Sequence, residues 1–130
     1  MRSFRLMTAT AVTAGSVAVS VMVAPTASAA ADALTLSLSS PMIGTRTVTL
    51  TCEPTGGTHP GGDAACQDLI AANGDIARIP PYQLGGCGGY YDPTVASAVG
   101  HWRGLPVNYT NTFSNPCVAN IVTGGHVFRF

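Results

Sequence analysis

No lysine occurs anywhere in this chain of 130 residues, and only 9% of it is charged. Six arginines face six carboxylates, and Arg2 and Arg5 sit at the extreme amino end. The other four, Arg46, Arg78, Arg103 and Arg129, are scattered. Without a basic patch, neither nucleic acid nor an anionic membrane surface is an expected partner. Catalytic signatures are equally scarce. There is no Gly-x-Ser-x-Gly segment, and the glycine run at 85–89 lacks the Lys-Ser/Thr of a phosphate loop. The three histidines, His59, His101 and His126, fall in a loop, a strand and a strand start, with no acidic residue at a motif spacing. Neither Cys-x-x-Cys nor His-x-x-x-His spacing occurs, so no metal or other cofactor is expected. That inventory points away from an enzyme.

What is present begins with a leader. Arg2 and Arg5 form a charged start, residues 6–23 carry no charge, and Ala27-Ser28-Ala29 offers a small-residue cleavage site. This is the pattern of a secretory signal. It predicts removal of residues 1–29, with cleavage near Ala29 or Ala30, and one domain over 30–130. No second apolar stretch suggests a membrane span, so the product is expected outside the cell. All four cysteines, Cys52, Cys66, Cys87 and Cys117, lie in the mature part. An oxidising destination suits two disulfides. Three pairings are open on the residues alone, the sequential one being simplest.

Residues 31–40 alternate, with Leu34, Leu36 and Leu38 on one face, and residues 45–53 resume with Val48, Leu50 and Cys52. Two such runs across a short break predict an antiparallel pair. Residues 54–62 read as loop, with His59 solvated. Asp63 suits a helix N-cap, residues 64–73 a helix, and Gly74 its left-handed end. Residues 75–84 read as irregular, Pro80-Pro81 ruling out regular structure there. Residues 95–101 and 107–113 read as a hairpin turning at Gly104-Leu105-Pro106. A short helix over 117–122 and a last strand over 126–130 complete the chain. The sum is an α+β domain: a five-stranded antiparallel sheet, one or two helices and two disulfides. Trp102, Tyr109 and Phe113 are expected in the core or at a subunit interface.

One segment stands apart. Gly85-Gly86-Cys87-Gly88-Gly89-Tyr90-Tyr91-Asp92-Pro93 has no periodicity, and its glycines would leave it floppy unless Cys87 is tied. Tyr90 follows two glycines that cannot cover it and is expected to be exposed. An extended, tethered, apolar segment can be offered to a partner.

These residues, with Val48-Thr49-Leu50-Thr51-Cys52-Glu53-Pro54, Gly57-Thr58-His59-Pro60, Ala65-Cys66, Trp102-Arg103-Gly104, Phe113-Ser114-Asn115 and Val127-Phe128-Arg129-Phe130, resemble the Streptomyces subtilisin inhibitor family. The resemblance runs in order through the mature chain. It implies a secreted inhibitor of serine endopeptidases of the subtilisin-like class, usually a homodimer, with bridges Cys52–Cys66 and Cys87–Cys117. It implies that Gly89–Tyr90 is the reactive bond. Cys87 is then the third residue back from it (P3), Gly88 P2, Gly89 P1 and Tyr90 P1′, with Tyr91 following and Asn115 bracing the loop.

The chain departs from the family at the bond itself. Relatives carry a substantial P1 residue, often Met, Lys or Arg, with Pro common at P2. A missing P1 side chain forfeits roughly 1.5–3 kcal/mol of burial, and two loop glycines add about 0.5–1 kcal/mol each of ordering cost. Weak inhibition of subtilisin itself is expected, with a protease that accepts glycine or a small P1 residue as the better target. Moving the bond to Tyr90–Tyr91 would place Cys87 at P4. A different reading keeps a secreted binding domain without serine-protease inhibition, acting on a metalloprotease.

Overall fold

The computed structural model describes residues 14–24 and 32–130. The charged start of the leader and its cleavage site lie outside the described residues. No helix among the described residues is long and apolar enough to cross a membrane.

Eight residues of alternating character form β1 (Ala33–Ser40), burying Leu34, Leu36 and Leu38 while Thr35, Ser37 and Ser39 lie on the other face and Ser40, at the end, is buried. The turn 41–43 returns the chain as β2 (Gly44–Thr51), paired antiparallel with Ser40 opposite Gly44 and Ala33 opposite Thr51. A third strand, β3 (Gly56–Gly57), pairs with Leu50 and Thr51. It lies inside the stretch expected to be loop. Two residues have no periodicity to read, and this strand exists because its backbone meets β2. Gly57 has φ +93° and a Cβ there would lie 2.4 Å from the Thr49 carbonyl oxygen, so only glycine fits.

Helix α1 (Gly62–Ala71) begins earlier than expected. Gly61, and not Asp63, is its N-cap, because the Gly61 carbonyl already accepts the Ala65 N–H. Asp63 lies in the first turn, where its charge suits the helix dipole. Cys66 on its buried face is bonded to Cys52, which fastens the helix to the end of β2. A 3-10 turn (Ile76–Arg78) follows.

Strands β4 (Thr94–Trp102) and β5 (Leu105–Phe113) form the hairpin. The turn is tighter than expected: Trp102 pairs with Leu105, leaving Arg103 and Gly104 as the two-residue connection, both with positive φ. Pro106 is tolerated because β5 lies at the sheet's edge. Helix α2 (Pro116–Val122) forms as the weaker of the two expected helices.

The sheet order is β3-β2-β1-β4-β5, antiparallel at every pairing. Its inner face packs Leu36, Leu50, Ala96, Ala98 and Trp102 against Leu69, Ile76, Ala119 and Phe128. Trp102 and Phe113 are buried as expected, and Tyr109 is partly buried against the same core. The outer face carries Val95 and Val99, both exposed, among serines and threonines.

Residues 126–130 do not form the expected last strand. Val127 and Phe128 are both buried, out of step with the alternation of a half-buried strand, and the segment runs as turns, with His126 bonded to Asp68 of α1 and the Phe128 ring beside Tyr109 of β5. Five strands are present, but β3 (Gly56–Gly57) makes up the number in place of 126–130. His59 is also not solvated. It is buried, its Nδ1 accepting the Gly61 N–H (2.9 Å) and its Nε2–H donating to the Val127 carbonyl (2.9 Å), so it ties the carboxyl-terminal segment to the head of α1.

Candidate functional site

One pole of the sheet gathers the end of β1, the turn 41–43, the start of β4, the end of β5 and the start of α2. Residues 83–93, just ahead of β4, cross this pole with no helix or strand. From Ile79 to Tyr91 the chain carries no charged residue. Leu84 and Tyr91 are strongly exposed (85% and 79%) and Tyr90 is half-exposed. The apolar presentation expected of the segment is therefore present.

It is held on both legs and from behind. On the first leg the Tyr82 N–H donates to the Ile121 carbonyl at the end of α2 (2.8 Å). Cys87 is bonded to Cys117 in the first turn of α2, with Cα atoms 5.7 Å apart. Of the three pairings left open by the residues alone, the two bridges present are those implied by the family resemblance.

From behind, Asn115 joins the segment to α2. Its side chain is 1% exposed, and as the N-cap its Oδ1 accepts the Val118 N–H (2.9 Å). That bond fixes which amide atom is oxygen. The Nδ2 then donates to the carbonyls of Gly88 (3.3 Å) and Tyr90 (2.9 Å). These two carbonyls flank the Gly89–Tyr90 peptide bond, one on each side.

On the second leg the anchor is Asp92, whose part the residues alone did not disclose. Its side chain is buried, at 2% exposure, and no ion pair reaches it among the described residues. Its Oδ2 accepts the Ser40 hydroxyl (2.6 Å) and its Oδ1 the Met42 N–H (3.1 Å). Its own N–H donates to the Ser114 carbonyl (2.8 Å), and its carbonyl accepts the Thr94 hydroxyl (2.7 Å). An Asp-Pro pair in a loop gives no sign of this, because Ser40 and Met42 lie fifty-two and fifty residues away.

The glycines at 88 and 89 are not there for the backbone's sake. Neither has left-handed φ, a Cβ at Gly89 meets nothing within 4 Å, and one at Gly88 meets only the Tyr90 ring, at 3.7 Å. Larger residues would fit both positions without strain.

No competing chemical centre is assembled among the described residues. No group of three or more His, Cys, Asp or Glu could hold a metal there. His126 pairs with Asp68 (Nδ1 to Oδ2, 2.8 Å) and meets the Tyr82 ring edge-on, with no hydroxyl or thiol bonded to the imidazole.

Known proteins share both sequence and architecture. A family model described as subtilisin inhibitor-like matches residues 29–115. Subtilisin inhibitor-like protein 4 of Streptomyces lavendulae is 45% identical over 86 residues, 65% of this chain and 73% of the relative. The subtilisin inhibitor of Streptomyces albogriseolus is 39% identical over 113 residues, 82% of this chain and 78% of that one. A crystal structure of Streptomyces caespitosus sermetstatin in complex with Bacillus licheniformis subtilisin aligns at a TM-score of 0.62 and 31% identity, covering 76% of this chain and 98% of that chain. Sequence and fold agree over most of the molecule, and the chain belongs to the subtilisin inhibitor-like family.

Proposed function

We propose that this protein inhibits serine endopeptidases by laying residues 85–93 along the active-site cleft like a substrate, with Gly89–Tyr90 at the enzyme's nucleophile. The observation that carries the reading is the Asn115 amide, bonded to the carbonyls on either side of that bond. It favours Gly89–Tyr90 over a bond shifted to Tyr90–Tyr91, since the braced carbonyls bracket the former. The names of the relatives and the subtilisin bound to sermetstatin support the enzyme class.

Inhibition follows from pre-organisation. The disulfide, Asn115 and Asp92 have already ordered the loop, so little conformational entropy is lost on docking. If the enzyme opens the Gly89–Tyr90 bond, the acyl part stays tethered through Cys87 and the new amine end through Tyr90 and Asp92. The amine remains beside the acyl group at high effective concentration, and resealing competes with hydrolysis.

Glycine at P1 leaves the primary pocket empty, so the best targets are enzymes whose pocket admits only small residues. Titrating the mature protein against subtilisin and against a serine protease selective for glycine or alanine tests this. Tighter inhibition of the second is expected; inhibition of neither would overturn the reading.

The protein is further proposed to be secreted after cleavage near Ala29 or Ala30, as the leader and the two disulfides suggest. It is also proposed to be a homodimer through the outer sheet face, since no helix among the described residues covers that face and Val99 remains 55% exposed on it. Light scattering of wild type and Val99→Arg checks the second point, with a dimer expected for the former and a monomer for the latter.

A further inference from the structure

Gly89 gives up the side chain that normally anchors such a loop, so the contact must be made elsewhere on the same pole. Among the described residues there, the turn between β1 and β2 combines exposure, apolar character and a fixed position relative to the loop. Met42 at its tip is 73% exposed. The turn is rigid: the Met42 N–H donates to Asp92 Oδ1 (3.1 Å), and the Ile43 N–H to Ser40 Oγ (3.2 Å), which itself donates to Asp92 Oδ2 (2.6 Å).

Asp92 directly follows Tyr91 on the leg leaving the reactive bond. The carboxylate that ends the loop therefore sets the position of Met42. Burying a carboxylate with no cation beside it is costly. The arrangement fits a need to keep two exposed segments in one register, and both are then ordered before the enzyme arrives.

We propose that the 41–43 turn is a second docking element for the same protease, and that Met42 is a specificity-determining residue. It selects enzymes with an apolar surface beside the part of the cleft that receives Tyr90 and Tyr91. This rests on the reading of residues 85–93 as the inhibitory loop.

The test compares inhibition constants for subtilisin, using the mature protein carrying Met42→Ser, Met42→Leu, or Leu105→Ser at the opposite end of the sheet. Each is made in the wild-type and Gly89→Met backgrounds, the second to keep binding measurable. Met42→Ser is expected to weaken inhibition about tenfold. Met42→Leu should restore it, Leu105→Ser should change nothing, and Tm should stay constant throughout. If both backgrounds inhibit but Met42→Ser matches the parent, the second docking element is refuted while the loop reading stands. A shift in dimerisation with inhibition unchanged refutes it equally. If neither background inhibits, the loop reading has failed and the inference falls with it.

Discussion

Gly89→Met probes whether the scaffold still presents a working loop. The backbone at 89 is not left-handed and its Cβ direction is open, so methionine adds no strain to the free protein. Asn115 bonds the carbonyls of residues 88 and 90, and neither bond involves the new side chain. Filling the primary pocket should contribute roughly 1.5–3 kcal/mol. Replacing a flexible glycine spares about 0.5–1 kcal/mol of ordering. Together this is about 2–4 kcal/mol, or roughly thirty- to a thousandfold in the inhibition constant for subtilisin. The assay is a tight-binding titration of subtilisin with both proteins, alongside melting curves. Unchanged inhibition at unchanged Tm would mean that the loop is not offered to the enzyme, because a correctly offered loop must profit from an anchor.

Other perturbations separate the supports. Asn115→Asp retains the cap on α2 but turns a carboxylate towards two carbonyls. It should speed proteolysis of the loop at least tenfold while costing only about 1 kcal/mol in denaturant unfolding. Replacing Cys87 and Cys117 by serine opens a bridge spanning thirty residues, which should cost about 3–4 kcal/mol by urea unfolding and convert the inhibitor into a substrate. Burial raises the Tyr109 hydroxyl above its ordinary value, with a hydrogen bond from Asn111 opposing. The folded state thus holds that proton more tightly than the unfolded chain, so its contribution is present below about pH 10 and lost as pH rises through the folded ionisation. Melting curves between about pH 9 and about pH 11 should fall less steeply for Tyr109→Phe.

Much of this was legible because it is local. Alternation marked β1 and β2 through Leu34, Leu36, Leu38 and Leu50, and helical spacing marked α1 through Cys66 and Leu69. The glycines around Cys87 marked the loop, and family resemblance supplied the bridges and the brace. The misreadings share a different cause. His59 is buried by Val127, sixty-eight residues away, and Gly56–Gly57 is a strand only because β2 lies beside it. Val127 and Phe128 break strand alternation because the end of the chain turns back over the core, Phe128 beside Tyr109 and His126 beside Asp68, instead of joining the sheet as a strand. Asp92 and Met42 gave no sign of their contact, since neither type of residue is unusual in a loop. Partners distant along the chain leave no trace in local periodicity.

The most direct measurement is the position of the cut. Prolonged incubation with catalytic subtilisin, followed by amino-terminal sequencing before and after reduction, reads it. A single new terminus at Tyr90, with both fragments joined until the disulfide is reduced, is the predicted result. A terminus at Tyr91, or cleavage outside residues 85–93, would contradict the account.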